Sequence, residues 1–374
     1  IKALAVAILS LCSAMAGAET LVVLNKAEAS ASLIDLDSGT VVATLPTGEG
    51  PHEAAASPDG TRVLATNYGT RNAPGASLTL IDVANADVIS TIKLSPYRRP
   101  HGVRWLADGR RAVVTAEDNK ALLIVDVDAG RVITAIDTGQ EISHMVAVTP
   151  DGGRAFVANI GSGSVTVIDL LEGQRIKNIV TGEGAEGVDV TPDGREVWVT
   201  NRAANTVSVI DAATLEIKRT LASADFPIRA TVTADGRHVL VSHARSADVG
   251  VFDTKSGDVI RRISMQQGDV DLEGKLFGNM FGDSSIPIGV VVDPSDKRAW
   301  VALAGSLGAG GISDTGDADH PQLAVNDNGP IVAWLDAGPV KLRQFTGGAW
   351  SEIDGSGTTG IGIDVHDFAL SASG

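Results

Sequence analysis

Most of the chain alternates apolar and polar residues with a period of two, the pattern of strands that pack between neighbouring sheets. Within Thr206 to Ile210, for example, Val207 and Val209 alternate with polar residues. Segments of this kind are separated by short turns. After Glu19, no segment long enough to form a helix shows the helical period of apolar residues. The chain is therefore predicted to be all-β.

A short motif that ends in Asp-Gly recurs along the chain. Its aspartates are Asp59, Asp108, Asp151, Asp193 and Asp235, which are separated by 49, 43, 42 and 42 residues. This period fits one four-stranded blade of a β-propeller. We expect each Asp-Gly to form a tight turn within its blade, because glycine tolerates the positive φ that such turns demand.

One repeat displays the four antiparallel strands of the predicted blade in full. The strands are predicted at Glu186 to Thr191, Val197 to Thr200, Thr206 to Ile210 and Glu216 to Leu221. The sequence therefore predicts a β-propeller of four-stranded antiparallel blades. Seven blades are expected, with eight as the alternative.

The two ends of the chain are predicted to meet in the first blade. Residues 21–45 contain only three strands, and Phe368 to Ser371 can supply the missing innermost strand. After Ala302 the repeat stops, and a Gly-rich linker, 304–319, leads to a divergent blade-like repeat at 320–374. That repeat either closes the same ring or begins a truncated second propeller, and we favour closure.

The residues after the Asp-Gly turns resemble a known repeat. Phe156-Val-Ala-Asn159 and Trp198-Val-Thr-Asn201, each followed by Ser/Thr-Val-x-Val-Ile-Asp, are similar to the repeat of YVTN-type seven-bladed β-propellers. The resemblance covers residues 21–303, within a predicted propeller domain of residues 19–303. Relatives of this kind include nucleic-acid binders, lactonase-like proteins, haem-carrying propellers of nitrite reductases and subunits of amine dehydrogenases. The resemblance thus implies the fold and leaves the function open.

The N-terminal segment predicts export. An apolar run, Ala3 to Leu11, is followed by the small residues Ala16 to Ala18, which is typical of a signal peptide over residues 1–18. The mature protein would then be periplasmic or secreted, without a membrane span. Because Cys12 would leave with the signal peptide, we expect no disulfide, no thiolate nucleophile and no sulfur metal ligand.

Charge and motif content narrow the classes of function. The formal net charge is −16 at pH 7 and no basic run relieves it, which argues against nucleic-acid binding. The sequence contains no Gly-x-Ser-x-Gly elbow, no His-Glu-x-x-His motif and no Cys-x-x-Cys-His haem attachment. Candidate chemistry must therefore come from residues that the fold brings together.

The position seven residues before each Asp-Gly aspartate opens the innermost strand of its blade. It holds His52, His101, His144 and Glu186 in four consecutive blades, and then Ile228. In a propeller these positions ring the mouth of the central channel, so three imidazoles and a carboxylate should converge there. Such donors suit Zn²⁺, Cu²⁺, Ni²⁺ or Fe²⁺, with His52, His101 and His144 as candidate ligands.

Other interpretations of the channel mouth remain open. Polar residues at the mouth of a water-filled channel can simply be solvated. Glu53 and Arg229 adjoin the mouth positions and would extend the ligand-binding ring, unless strand alternation points them away. His243 replaces the Asn seen at Asn159 and Asn201, and we interpret it as a turn residue.

An insertion interrupts the last recognisable repeat. Residues 266–286 are apolar in part, through Leu276, Phe277, Met280 and Phe281. A loop of this length is more typical of a segment that covers a face than of one that packs inside. We expect it to cap the channel or to contact a partner.

Two functions follow from these observations. The first is an exported binding or scaffold protein that uses the channel mouth and the 266–286 loop for a protein partner or small ligand. The second is a metal-dependent, lactonase-like hydrolase in which His52, His101 and His144, with Glu186 as a further candidate, hold a metal that activates water. Lactonase activity is what the resemblance implies. Haem binding is less favoured, because few basic residues lie near the mouth.

Overall fold

The computed structural model describes residues 19–26, 28–36, 38–266, 278–293 and 298–304, and the backbone of five further strands between residues 322 and 371. The predicted signal peptide, residues 1–18, lies outside the described residues, as do residues 305–319 of the predicted linker. None of the described helices has both the length and the apolar character needed to cross a membrane.

Thirty strands and two short 3-10 helices are described, and their bounds follow the alternation read from the sequence to within a few residues. The first fifteen strands are β1 (Thr20–Asn25), β2 (Ser30–Asp35), β3 (Thr40–Pro46), β4 (Pro51–Ala56), β5 (Arg62–Gly69), β6 (Pro74–Asp82), β7 (Asp87–Lys93), β8 (Pro100–Trp105), β9 (Arg111–Ala116), β10 (Ala121–Asp126), β11 (Arg131–Asp137), β12 (Ser143–Val148), β13 (Arg154–Asn159), β14 (Ser164–Asp169) and β15 (Gln174–Val180). The remaining strands are β16 (Ala185–Val190), β17 (Glu196–Asn201), β18 (Thr206–Asp211), β19 (Ile217–Ala222), β20 (Pro227–Val232), β21 (His238–His243), β22 (Asp248–Asp253), β23 (Val259–Ser264), β24 (Pro287–Val292), β25 (Ala299–Leu303), β26 (Gln322–Asn326), β27 (Gly329–Leu335), β28 (Val340–Thr346), β29 (Ala349–Glu352) and β30 (Val365–Ser371). The 3-10 helices are Glu117–Asn119 and Gly278–Phe281.

The strands form antiparallel sheets around a central channel, as predicted. Five sheets take four consecutive strands each: β4 to β7, β8 to β11, β12 to β15, β16 to β19 and β20 to β23. A sixth four-stranded sheet has the order β3-β2-β1-β30. The strands β4, β8, β12, β16, β20, β24 and β30 lie innermost, each against the innermost strands of the neighbouring sheets.

The predicted count of seven or eight four-stranded blades is wrong. Among the described strands, six sheets are four-stranded blades, whereas β24 to β29 form one sheet of six strands. The repeat pattern breaks after Leu303, and the strands that follow do not stop at the four of a regular blade. Instead the four strands from Gln322 to Glu352 extend the sheet that β24 and β25 begin.

The C-terminal strand closes the ring. β30 pairs antiparallel with β1, with Val22 opposite Ala369 and Leu21 opposite Leu370. The first blade therefore receives its innermost strand from the far end of the chain, and β30 lies beside both β4 and β24. This pairing covers the edge of β1 that would otherwise be open to another chain.

The core lies between adjacent sheets, because strands with one blade on each side bury both faces. Phe156, Trp198 and Phe252 are among the largest fully buried side chains. The rings of Trp198 and Phe252, from neighbouring blades, meet edge to face with centroids 6.1 Å apart. Valine, alanine and leucine fill most of the remaining buried apolar positions.

Polar residues of the repeat hold the turns, as predicted. The Asp193 carboxylate accepts hydrogen bonds from the Thr191 hydroxyl at 2.6 Å and from the Arg195 amide at 3.0 Å, and Gly194 has φ +72°. At the other end of the blade, the Asn201 amide donates to the hydroxyls of Thr206 and Ser208. These bonds satisfy polar groups that the adjoining blades remove from water.

The innermost strands share a β-bulge near their entrance. In β16, for instance, the pairing register with β17 shifts between Ala185 and Val188. The amide of Gly187, inside the bulge, donates to the Thr200 hydroxyl at 2.8 Å, and that hydroxyl donates to the Ile228 carbonyl of the next blade at 2.7 Å. A Cβ at Gly187 would lie 2.3 Å from the same carbonyl oxygen, so glycine permits this close approach of the two strands.

The same contact recurs in other blades. Thr115 accepts from the Gly102 amide and donates to the His144 carbonyl, at 2.8 and 2.6 Å. Ser242 accepts from the Arg229 amide and donates to a carbonyl of the following blade. A hydroxyl on the second strand thus joins the bulge of its own blade to the mouth of the next one.

We expect Thr200→Val to destabilise the protein by about 1–3 kcal/mol for each buried group that loses its partner. The substitution keeps the shape of the side chain and leaves the Gly187 amide and the Ile228 carbonyl without the hydroxyl. Urea unfolding followed by circular dichroism measures the change. Thr200→Ser, which retains the hydroxyl, is the control, and equal stability of the valine variant and the native protein would contradict the role of this contact.

Candidate functional site

The β-bulge explains how consecutive residues reach the channel mouth together. In a regular strand, neighbours point to opposite faces, but the extra residue of a bulge interrupts that alternation. The register of β4 against β5 shifts between Pro51 and Ala54, at the position of His52 and Glu53. Glu53 Oε1 lies 3.8 Å from His52 Nδ1 and 3.9 Å from His101 Nδ1. The Glu53 side chain is therefore not turned away from the mouth.

The structure brings the three predicted histidines together. The ring centroids of His52 and His101 lie 4.2 Å apart, and those of His101 and His144 lie 3.6 Å apart. His101, in the middle, is almost fully buried, whereas His52 and His144 are partly accessible. The three imidazoles form a continuous stack across the entrances of three consecutive innermost strands.

His144 is held between two carboxylates. Its Nδ1 lies 2.5 Å from Glu117 Oε1, and its Nε2 lies 3.5 Å from Glu186 Oε1. Burial alone would lower the pKa of His144, but the hydrogen bonds with Glu117 and Glu186 raise it to about 9. His144 is therefore an imidazolium near neutral pH, and it forms an ion pair on each side.

Further groups complete this network. The Tyr68 hydroxyl donates to Glu117 Oε2 at 2.5 Å, and Arg202 Nη1 donates to Glu186 Oε2 at 2.8 Å. Burial raises the pKa of Glu186, but the His144 hydrogen bond and the Arg202 charge outweigh this and lower it. Glu186 therefore stays ionised, and each of the two carboxylates around His144 is shared between two donors.

Glu53 and Arg229 pair across the ring. Arg229 Nη2 donates to Glu53 Oε1 at 2.6 Å, and both side chains are buried. The two residues come from the second and sixth four-stranded blades along the chain, so the pair connects distant parts of the ring. A buried carboxylate needs such a partner, because an isolated charge there would be costly.

The most deeply buried of the three histidines, His101, has a polar atom that is not satisfied. Its Nδ1 is buried and has no hydrogen-bond partner among the described atoms, and the nearest carboxylate oxygen is Glu53 Oε1 at 3.9 Å. Burial, followed by the nearby His144 and His52, lowers its pKa well below the ordinary value. His101 is therefore a neutral imidazole at physiological pH, the form that binds metal ions.

Two groups of side chains at the mouth could hold a metal ion. In His52, Glu53 and His101, and again in His101, Glu117 and His144, the candidate ligand atoms lie within 4.8 Å of one another. In the second group, Glu117 and His144 already form an ion pair. The first group keeps neutral His101 beside a second imidazole and a carboxylate, which is a suitable donor set for a transition metal.

The other half of the mouth is apolar. Ile228 and Ile288 occupy the entrance positions there, and Phe281 packs edge to face on Phe226 at 5.0 Å. Phe281, from the predicted covering loop, is thus buried against the rim, whereas Met280 is exposed. Phe277 and Leu276 lie outside the described residues.

Sequence reasoning missed Glu117, Tyr68 and Arg202. Tyr68 lies near the end of the second strand of its blade, and Glu117 and Arg202 directly follow the second strands of theirs. A signal was present at Glu117, because its blade has Ala116 where other blades have Asn. The absence of the repeat asparagine indicates that the loop after Ala116 does not have the structural role it has in other blades.

A family model for YNCE-like beta-propellers matches residues 105–272. The chain is a β-propeller. The solved structure of Kuenenia stuttgartiensis hydrazine synthase is similar to this propeller, with a TM-score of 0.61, 21% sequence identity, and coverage of 76% of this chain and 89% of that one. At that identity the similarity shows the fold alone, and no curated protein matches the sequence significantly.

We expect the ion pairs of His144 to make stability depend on pH. The folded pKa of about 9 lies above the ordinary value of 6.5, so the stabilisation is complete below pH 6.5 and is lost as the pH rises through about 9. Glu117→Gln should lower the pKa of His144 and reduce the fall in unfolding free energy over this range. Urea unfolding at a series of pH values, together with NMR titration of His144, measures both effects.

Glu141→Gln provides the control for this experiment. Glu141 is an exposed carboxylate that pairs with Lys120 outside the histidine stack. Its neutralisation should leave the His144 titration unchanged. If Glu117→Gln left the pH dependence and the His144 titration as they are in the native propeller, the assignment of His144 as an imidazolium would be wrong.

Proposed function

We propose that this propeller is an exported binding protein whose ligand site is the channel mouth, and that the site takes a divalent transition-metal cation. His52 and His101 would be the imidazole ligands and Glu53 the carboxylate ligand. The observation that carries the proposal is the buried Nδ1 of His101, which has no hydrogen-bond partner among the described atoms and lies 3.9 Å from Glu53 Oε1. Buried polar atoms are normally satisfied, and a ligand would satisfy this one.

The charges of the site support a cation. Glu53 Oε1 already accepts from Arg229, yet a carboxylate offers two oxygens and several lone pairs, so it can keep that bond and still coordinate a metal. His101 need not lose a proton on binding, because its pKa is already low. The negative charge of the whole chain also favours the approach of cations.

The proposal differs from the predicted ligand set in one member. The predicted set was His52, His101 and His144, but His144 is engaged by Glu117 and Glu186. Glu53 takes its place, while His144 supports the stack from the other side. The proposal asks for cation binding and does not include hydrolysis, since no described contact favours a position for a substrate beside these ligands.

Metal titration of the full chain tests the proposal. After dialysis against chelator, isothermal titration with Zn²⁺ and then with Ni²⁺ should show about one equivalent bound. His101→Ala and Glu53→Gln should each weaken binding by at least roughly tenfold, because each removes a ligand. Elemental analysis of the loaded protein checks the stoichiometry.

His238→Ala is the matched control for the metal titration. His238 begins β21 beside an Asp-Gly turn, at the opposite end of the blade from the mouth. Its replacement should leave the affinity unchanged. The proposal fails if the native protein binds neither metal, or if a folded His101→Ala variant binds as tightly as the native chain.

A further inference from the structure

A second group of reactive side chains lies in the blade of β20 to β23, outside the histidine stack. The Ser223 hydroxyl oxygen lies 2.8 Å from His243 Nε2, and His243 Nδ1 lies 2.7 Å from Asp248 Oδ1. The three side chains thus follow the order of a catalytic triad, in which a nucleophile contacts a general base and an acid orients that base. We propose that Ser223, His243 and Asp248 form a catalytic triad that transfers acyl groups from small esters to water.

Comparison of the blades with one another shows how this group departs from the repeat. The position of Ser223, just after the outermost strand, is Thr in Thr47, Thr138 and Thr181. Among the described blades, only here does that hydroxyl bond directly to the last residue of the next blade's second strand. A serine hydroxyl is also less hindered than a threonine hydroxyl.

Three further positions change in the same blade. His243 replaces the asparagine found at Asn67, Asn159 and Asn201. Asp248 replaces the first hydroxyl residue that such an asparagine contacts, and Gly250 replaces the second. The interpretation of His243 as a turn residue is incomplete, because Ser223 and Asp248 occupy the positions of its partners.

Gly250 makes room for the imidazole. A Cβ at this position would lie 2.8 Å from His243 Cε1, closer than side chains tolerate. The Ser or Thr found at the equivalent position of most other blades would therefore clash with the ring. The four changes from the repeat act together. Three of them supply the serine, the imidazole and the acid, and the fourth, Gly250, makes room for the imidazole.

The surroundings suit the three roles. His243 and Asp248 are buried, whereas Ser223 is partly accessible, so a substrate can approach the hydroxyl. Burial would raise the pKa of Asp248, but hydrogen bonds from His243 and Arg262 lower it, which keeps the acid ionised. The Ala224 amide directly follows the nucleophile in the chain and would be the donor to a developing oxyanion.

The reaction balances with water as the only co-reactant. Ser223 Oγ attacks the ester carbonyl carbon while its proton passes to His243 Nε2, and the carbonyl π electrons move to oxygen. Collapse of this intermediate breaks the bond to the leaving alkoxide, which takes the proton from Nε2. Water then attacks the acyl-serine by the same steps, which releases the carboxylic acid and restores Ser223.

Labelling with a fluorophosphonate probe tests the proposal on the full chain. The probe phosphorus should bond to Ser223 Oγ with loss of fluoride, and peptide mass spectrometry should find the label at Ser223. His243→Asn restores the residue of the other blades and should slow labelling by roughly 100-fold or more, because it removes the base. Hydrolysis of p-nitrophenyl acetate should be lost in Ser223→Ala to a similar extent.

The controls separate this site from the channel mouth. Ser77→Ala removes a hydroxyl of the repeat that bonds to Asn67, and should leave labelling unchanged. Excess EDTA should also have no effect, whereas a metal-dependent reaction at the mouth would stop.

Two results would overturn the proposal. One is a native chain that stays unlabelled at Ser223 under conditions that label a reference serine hydrolase. The other is equal labelling rates in native protein and folded His243→Asn. Should His243→Asn fail to fold, Asp248→Asn provides the same comparison, and labelling at the native rate in that variant would reject the triad.

Discussion

The arrangement of this propeller depends on a hydroxyl that joins neighbouring blades at the channel mouth. A bulge in the innermost strand leaves a buried amide without its ladder partner, and the hydroxyl of Thr115, Thr200 or Ser242 accepts from it. The same hydroxyl donates to a carbonyl of the next innermost strand. One hydroxyl thus satisfies the buried amide of the bulge and fixes the distance between two innermost strands. The positions of the side chains at the mouth depend on this contact.

Electrostatic balance explains why so many charges can be buried at this mouth. Three carboxylates, Glu53, Glu117 and Glu186, each meet a cationic partner in Arg229, His144 or Arg202. Removal of any one partner would leave a buried charge uncompensated, which is far more costly than the pair itself. The neutral His101 lies at the centre of this balanced group and is the member with capacity left for a ligand.

The four-stranded blades could be predicted from the sequence, because the same pattern of strands and turns recurs in each repeat. The convergence of His52, His101 and His144 also followed from their common register. The position of Glu53 did not follow, since a bulge cannot be read from alternation alone. Glu117 was missed because its loop shares no spacing with the mouth register. The predicted blade count was wrong where the repeat ends, because four strands after Leu303 extend the sheet of β24 and β25 to six strands.

The repeat also shows where new chemistry can arise in such a fold. Asn67, Asn159 and Asn201 each satisfy hydroxyls of the next strand. The two blades that have alanine or histidine at this position lack those hydroxyls as well, so the position is released from its structural task. In one blade Ala116 takes the position, and the following residue, Glu117, turns to the histidine stack. In another, His243 takes it and bonds to Ser223 and Asp248. Because the remaining blades keep the ring closed, a single blade can exchange a structural contact for a reactive one without loss of the fold.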